Sequence, residues 1–182
     1  MQPLQGLWTA EMYLRLTDTS NQLLEFTDGL LEGLPMPTRR HQRMVVWLLD
    51  VVRSGVRPHG EVMIAPLRLQ VRADTFREPD VLVLRDRNDP RNQERFWLGA
   101  DLVVEVVSPD NPARDIVVKR ADYAAAGIPE YWIVDPQHET VTVLTLRDDQ
   151  YHEHGVFRRG TTATSVLLAS LTASVDALFD AQ

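Results

Sequence analysis

Two short segments in the middle of the chain are apolar at nearly every position. They are PDVLVL, residues 79–84, and LVVEVV, residues 102–107. Strands that are apolar on both faces are typical of the centre of a sheet that is covered by helices on each side. Further apolar runs predict strands at about 61–64, 67–72, 131–134, 140–146 and 151–157. The pattern predicts a mixed α/β (α+β) fold with a central sheet.

Apolar positions at helical spacing predict the helices around this sheet. The clearest helix runs from about Thr38 to Arg53, with a buried stripe formed by Met44, Leu48, Val51 and Val52. Shorter helices are expected at about 9–16, with Thr9 as the N-cap, and at about 115–126 and 175–179. Asp-Gly between apolar runs, at 28–29, predicts a hairpin near the N-terminus. The order in the middle is helix, three strands, helix, strand.

The helix expected at 115–126 has one polar and one apolar face. Asp115, Lys119 and Asp122 fall on the polar face. The apolar face, which we expect to be buried, is formed by Val117, Val118, Ala121, Ala124 and Ala125. On this interpretation Asp115 and Lys119 form an ordinary i,i+4 surface pair, worth about 0.3 kcal/mol.

Length and composition are those of one globular domain, which we place over 1–182. Hydrophobic residues make up 44% of the 182 positions and charged residues 25%, so a sizeable core is expected. The chain has no apolar run of membrane-spanning length and no basic start followed by an apolar stretch. We therefore expect a cytoplasmic protein without a membrane partner. The absence of cysteine excludes disulfides and thiolate metal sites.

The net charge of −7 argues against broad, nonspecific binding to nucleic acid, because neutralising phosphates requires a basic surface. A local basic groove remains compatible with this charge. Candidate arginines occur in three clusters, at 39–43, 85–95 and 114–120. The alternative is that they are solvated surface charges interleaved with acids.

Candidate chemistry lies in the two apolar strands. Strand alternation puts Asp80 on the face of Leu82, and Glu105 on the face of Val103, so the two carboxylates can meet on one face of the sheet. A carboxylate in such a setting costs several kcal/mol, roughly, unless a cation or hydrogen bonds compensate it. Carboxylate oxygens and waters are the ligands that Mg²⁺ prefers. The alternatives are a strand-start residue bonded to a loop for Asp80, and a buried salt bridge for Glu105.

Several stretches together resemble the Uma-type restriction endonuclease family of the PD-(D/E)XK nuclease superfamily. They are LLEFTDGLLE, RRHQRM, REPDVLVL, DLVVEVVSP and RDIVVKRADYAAAGIPEYWIVDP. The resemblance covers the chain from about 7 to 179, and the run at 101–136 is its most specific part. It implies a restriction-endonuclease-like core of helix, three strands, helix and strand, with an N-terminal hairpin and extra C-terminal strands.

The resemblance also implies an endonuclease that acts on DNA with Mg²⁺, for which Mn²⁺ could substitute. Asp80 and Glu105 resemble the two metal-binding acids of the motif, and the carbonyl of Val106 resembles a further metal ligand. The superfamily lysine usually stands two residues after the second acid, where this chain has Val107. Lys119, on the following helix, resembles the relocated lysine that this family carries.

Two further positions resemble family residues. Glu25 resembles an early acid that contacts the metal or a water, although a surface acid on the hairpin is an equal alternative. His41, with Arg39 and Arg40 before it, resembles a histidine that contacts a phosphate or supports the site. A helix-capping or packing histidine is the alternative. We interpret the remaining matches mainly as scaffold or as residues that support the site residues from behind, namely Asp115, Tyr123, Glu130, Tyr131, Trp132 and Asp135.

Two other functions remain open from the sequence. The net charge and Val107 favour a nuclease-fold protein that has lost cleavage and acts as a binding or accessory protein. A metal-dependent hydrolase of another phosphate ester is also compatible with the fold. If the protein cuts both strands of DNA, a symmetric homodimer is the simplest arrangement.

Overall fold

The structure, a computed structural model, describes residues 4–20 and 22–182. Its α-helices are α1 (Ala10–Thr19), α2 (Arg39–Val56), α3 (Arg120–Ala125) and α4 (Val175–Phe179). A π-helical turn, Arg114–Lys119, runs directly into α3. Thr9 caps α1 and Thr38 caps α2, each with its side-chain oxygen accepting from a backbone N–H three residues on. The predicted helices are therefore confirmed, and α2 extends three residues beyond the predicted end.

Strands make up most of the rest of the fold. They are β1 (Leu24–Thr27), β2 (Leu30–Gly33), β3 (Glu61–Ile64), β4 (Leu69–Arg72), β5 (Thr75–Arg77), β6 (Val81–Leu84), β7 (Leu102–Val106), β8 (Glu130–Asp135), β9 (Thr140–Arg147), β10 (Gln150–Arg158), β11 (Thr162–Thr164) and β12 (Thr172–Ser174). The predicted hairpin is confirmed as β1–β2. Strands β5, β11 and β12 were not predicted, because three residues are too few to show a period.

A mixed six-stranded sheet forms the centre of the molecule, with the order β10-β9-β8-β7-β6-β3. Among its described pairings only β7–β8 is parallel, and the π-helical turn and α3 make the crossover between these two strands. A four-stranded antiparallel sheet, β2-β1-β5-β4, lies beside it. The mixed α/β fold with a central sheet is thus confirmed.

The apolar residues of the central strands point alternately to two cores. Val81, Val83 and Val104 pack with α2 and α4 on one face. Leu82 and Val103 pack with α3 and the 85–100 loop on the other face, in a cluster that contains Trp97, Tyr123 and Tyr131. Burying a large apolar side chain stabilises the fold by about 1.5–3 kcal/mol. These two cores hold β6 and β7 in the register that sets the site.

The smaller sheet has its own core beneath α1. Tyr13 of α1 stacks on Phe26 of β1 and contacts Phe76 of β5, with ring centroids 5.4 and 5.3 Å apart. The hairpin turn uses left-handed backbone at Asp28 and Gly29. A Cβ atom at Gly29 would lie 2.7 Å from the carbonyl oxygen of Gly6, so only glycine fits this turn. Arg77 of β5 bonds to Asp122 of α3 and so anchors this sheet against the main body.

The buried face predicted for residues 115–126 is wrong. Val117 is 62% exposed and Val118 is 49% exposed, whereas Asp115 and Lys119 are buried. The charged face turns inward because it meets acids and hydrogen-bonding groups of the sheets, which compensate its charges. The first part is also a π-helix, whose i→i+5 hydrogen bonds place its residues differently from the α-helical wheel.

No helix within residues 4–20 and 22–182 combines the length and the apolar character needed to cross a bilayer.

Candidate active site

The pairing of β6 with β7 brings the two predicted acids together. Val81 is paired with Val104, so Asp80 lies opposite Glu105 at the end of the ladder. The Val106 N–H donates a 2.7 Å hydrogen bond to Asp80 Oδ2. The alternation argument for these two carboxylates is confirmed. Asp80 thus bonds directly to the strand that carries Glu105, rather than to a loop.

Lys119 reaches the same place from the π-helical turn. Its Nζ donates to Glu105 Oε1 at 2.9 Å and lies 3.2 Å from Glu25 Oε1 and 3.4 Å from Asp115 Oδ1. The residue is 3% exposed, so it is not the ordinary surface pair that i,i+4 spacing allowed. Lys119 is also the only lysine in the sequence, which contains 18 arginines. The one lysine of the chain therefore lies against the second acid of the motif.

Acids outnumber cations around this ammonium group. Burial raises the pKa of Glu105 well above its usual range; Lys119 opposes this, while Asp115, Asp80 and Glu25 add to it. Tyr123 O–H donates a 2.6 Å hydrogen bond to the same Glu105 oxygen that Lys119 binds. A further cation at this point would lower the pKa of Glu105 as Lys119 does, because it would offset both the burial and the like charges.

Burial alone would lower the pKa of Lys119, but its acidic neighbours outweigh burial and raise that pKa above its ordinary value. The largest of these contributions come from Glu105, Glu25 and Asp115. The amine is therefore held as an ammonium ion. It can stabilise negative charge, but it is not available to take up a proton.

Glu25 is part of the site rather than of the hairpin surface. It is 1% exposed, and its Oε1 accepts the Glu78 N–H at 3.2 Å besides facing Lys119. Its Oε2 lies 3.5 Å from Arg77 Nη1. The alternative of a surface hairpin acid is wrong. Glu25 lies between two buried cations and orders both.

His41 faces the metal-binding candidates from the first turn of α2. Its Nε2 lies 3.2 Å from Asp80 Oδ1, and its backbone N–H donates to the Thr38 cap. Burial lowers the pKa of His41, but the Asp80 carboxylate and the Val106 carbonyl outweigh burial, so that the pKa is raised. His41 therefore supports Asp80, which is one of the two roles predicted for it.

Arg39 and Arg40 have different surroundings. Arg39 is exposed at the start of α2. Arg40 donates to the Pro136 carbonyl at 3.3 Å and lies 3.8 Å from Glu139, so it ties α2 to the turn between β8 and β9. Among the described residues, Arg40 makes these contacts and Arg39 makes none of them.

Sequence reasoning missed Arg77 and Glu78. Arg77 Nε donates to Asp122 Oδ2 at 3.0 Å and, with Glu25, forms a buried ionic group. Glu78 is buried beside Glu25, and its Oε2 has no hydrogen-bond partner within the described ranges. The signal was the run Arg-Glu-Pro-Asp before an apolar strand, whose first two residues lie between the predicted strands.

The other family matches serve the scaffold. Tyr131 O–H donates to the carbonyl of Asp115 at 2.8 Å, which fixes the π-helical turn on β8. Glu130 accepts from Trp132 Nε1 and from two backbone N–H groups of the 165–168 segment. Asp135 caps the turn that follows β8. None of these three side chains lines the cleft at the site.

An open cleft of about 430 Å³ gives access to these groups. Its floor contains Asp80, Glu105, Asp115 and Lys119, together with Glu78 and the backbone of Val106. Its walls are largely apolar and come from the 34–37 segment and from α2, including Met36, Pro37, Val45 and Val46. The charged groups therefore face a space that can hold part of a substrate.

The donor atoms fit a hard divalent cation. Asp80, Glu105 and the Val106 carbonyl offer oxygen ligands at one point of the cleft. No three His, Asp or Glu side chains form a preformed cage in the part of the chain that the structure describes. Mg²⁺ commonly binds through one or two carboxylates and keeps several waters, so such a cage is not required. Two carboxylates beside an ammonium group can hold a metal and stabilise charge on a phosphate.

Comparison with known proteins identifies the family. The chain is similar to the crystal structure of a protein described as a putative nuclease belonging to DUF820, from Anabaena variabilis ATCC 29413. The TM-score is 0.76 at 23% identity, over 94% of this chain and 97% of that one, which shows a shared fold. No curated protein matches the chain. The Uma2 family model, described as "Putative restriction endonuclease", matches residues 10–176. The chain therefore belongs to the Uma2 family.

Proposed function

We propose that this protein is a metal-dependent endonuclease that hydrolyses phosphodiester bonds in DNA. The observation that carries the proposal is the burial of the only lysine against Glu105, beside Asp80, on the floor of an open cleft. Membership of a restriction endonuclease family supports the same reaction class. The description of the Anabaena protein as a nuclease agrees with it.

Asp80, Glu105 and the carbonyl of Val106 would hold Mg²⁺, with Mn²⁺ as a substitute. The oxygen donors and the surplus of buried acids support this assignment. When bound, such an ion supplies Lewis acidity and lowers the pKa of a coordinated water. The protein's part is to hold both carboxyl groups in place. Lys119 favours ionisation of Glu105, and the Val106 N–H and His41 orient Asp80.

Lys119 stabilises negative charge on the phosphate in the transition state. It lines the cleft as an ammonium ion that its acidic neighbours keep protonated. Glu25, whose Oε1 lies 3.2 Å from Lys119 Nζ, helps to orient this ammonium. Such preorganised charge costs little rearrangement during the reaction, so a helix-borne lysine can replace one at position 107.

DNA cleavage provides the first test. Wild type is expected to nick supercoiled plasmid with Mg²⁺ or Mn²⁺, whereas Asp80→Asn and Glu105→Gln are expected to lose this activity. Asp110→Asn is the matched control, because Asp110 lines the same cleft but is exposed and is not among the proposed ligands. Nicking by Asp80→Asn at the wild-type rate would sink the proposal.

A second readout uses the single lysine and needs no activity. Protein labelled with ¹³C at lysine gives one set of side-chain signals, from Lys119. Paramagnetic Mn²⁺ bound by Asp80 and Glu105 would broaden those signals, and Asp80→Asn should abolish the broadening. Broadening without nicking of any DNA would favour the alternative, a binding or accessory protein that retains the metal site. An absence of broadening in wild type would contradict the metal assignment.

A further inference from the structure

One face of α2 carries a row of arginines that have no acidic partner. They are Arg39, Arg43, Arg53 and, at the C-cap, Arg57. Their spacing of i, i+4, i+14 and i+18 places all four on the same face of the helix. All four are exposed. Within residues 4–20 and 22–182, no carboxylate lies within 4.0 Å of any of their guanidinium groups. We call these four residues the arginine face.

This arrangement contrasts with most arginines of the protein. Ten others form ion pairs, namely Arg15, Arg40, Arg68, Arg72, Arg77, Arg85, Arg91, Arg95, Arg114 and Arg159. Residues 39–57 contain five arginines and one aspartate, a surplus of four positive charges. The whole chain has a net charge of −7, so the remainder carries −11. Positive charge is thus concentrated on one helix of an acidic protein.

The arginine face adjoins the cleft. Gln42 and Val46, which lie next to Arg39 and Arg43 on the helix surface, line the cleft wall. With a rise of 1.5 Å per residue, the row from Arg39 to Arg53 extends for about 21 Å. At 3.4 Å per step along a DNA strand, this is about six nucleotides. The row is therefore long enough to follow a stretch of phosphates that leads to the floor of the cleft.

We propose that the arginine face binds the phosphate backbone of duplex DNA and guides it to the cleft. The proposal rests on the proposed endonuclease function, since it names the surface by which that substrate is held. Guanidinium groups suit this role because they bind phosphate oxygens through paired N–H donors. Such contacts give affinity without sequence preference. Asp50, the only acid of α2, lies within the same face and weakens its attraction for phosphate.

Salt dependence of binding provides the test. The affinity for a short labelled duplex is measured by fluorescence anisotropy in EDTA over a series of NaCl concentrations. Each phosphate contact contributes about 0.9 to the slope of log K against log salt concentration. Arg39→Gln/Arg43→Gln and Arg53→Gln/Arg57→Gln are each expected to lower the slope by about 1.8. Arg147→Gln/Arg158→Gln is the matched control, because both residues are exposed and unpaired among the described residues but lie on the β9–β10 hairpin.

Asp50→Asn tests the same surface in the opposite direction. Removing the acid should tighten binding at every salt concentration, a gain that a folding defect cannot imitate. Wild-type slopes in both α2 double variants, or an equal loss in the hairpin control, would overturn the proposal. Unchanged affinity in Asp50→Asn would also count against it.

Plasmid nicking, measured in parallel, separates this proposal from the endonuclease assignment. Nicking together with unchanged slopes overturns the arginine face alone. A lowered slope without any nicking supports the face and overturns the endonuclease. A wild type that does not bind duplex DNA in EDTA overturns the arginine face.

Discussion

Glu78 is 5% exposed, and the charge that acts on it most strongly is that of another acid, Glu25. Burial and the charge of Glu25 raise the pKa of Glu78 from 4.5 to about 8. In the folded protein the group is therefore protonated at neutral pH, whereas in the unfolded chain it is ionised. Because the folded state binds the extra proton, the stability contributed by this group is fully present below its unfolded pKa. It is lost as the pH rises towards the folded pKa.

Glu78→Gln should remove this pH dependence, because glutamine resembles the neutral acid. In metal-free protein, the difference in melting temperature, variant minus wild type, should be a few degrees larger at about pH 9 than at about pH 5. The comparison across pH cancels any constant effect of the amide. A difference in melting temperature that is the same at both pH values would contradict the raised pKa.

Individual residues of the candidate site were predictable from the sequence where the strand around them was apolar. Asp80 and Glu105 interrupt long apolar runs, and the register of β6 and β7 then brings them together. Arg77 and Glu78 precede the apolar run, so their sequence context is that of a loop. Arg77 also binds Asp122, 45 positions away, which no local pattern reveals.

At the scale of elements, the first turn of α2 connects helix capping to the site. The Thr38 hydroxyl oxygen accepts the N–H of His41 at 3.2 Å, and the His41 side chain faces Asp80. Thr9 caps α1 through the same bond to Met12, also at 3.2 Å, far from the cleft. The two helices therefore have the same type of N-cap, but only the cap of α2 lies next to the site.

Thr38→Ala and Thr9→Ala should each lower the free energy of unfolding by about 1 kcal/mol. Only Thr38→Ala should also slow plasmid nicking, because fraying of that turn loosens His41 beside Asp80. Urea denaturation and nicking measured on both variants check this expectation. Equal nicking by the two variants would show that the first turn of α2 does not influence the site.

The elements themselves were predictable in proportion to their length and regularity. The stripe of α2 and the Asp-Gly hairpin follow from local rules, and both are confirmed. Which face of residues 114–125 is buried was not predictable from the sequence. The energy of burying Lys119 depends on Glu25 and Glu105, which come from two different sheets. A helical wheel considers only the helix and leaves those partners out.

At the scale of the molecule, the site lies between two sheets. Glu25 and Arg77 belong to the four-stranded sheet, whereas Glu105 belongs to the six-stranded sheet. Arg77 bonds to Asp122 of α3, so it joins the small sheet to the helix that covers the large one. Strands apolar on both faces predicted the large sheet, but the residues that join the sheets are charged and carry no periodic signal.

Arg77→Met should lower the free energy of unfolding by about 3–5 kcal/mol, because it leaves the buried carboxylate of Glu25 and the partly buried carboxylate of Asp122 without this cation. Arg72→Met is the matched control. Arg72 forms a bidentate pair with Asp28 on the same sheet, but both side chains are more than half exposed. This control should cost less than about 1 kcal/mol in chemical denaturation. Similar costs for both variants would contradict the role of Arg77 as the link.

The burial of the only lysine has a consequence for the chemical reactivity of the protein. Reagents that acylate side-chain amines have one target, which is 3% exposed at the floor of the cleft and is held by the carboxylates of Glu25 and Glu105. Acylation then requires a local opening that exposes Lys119 and releases its proton. The rate at which this residue is modified therefore measures how often the site opens, in the unaltered protein and without an attached probe.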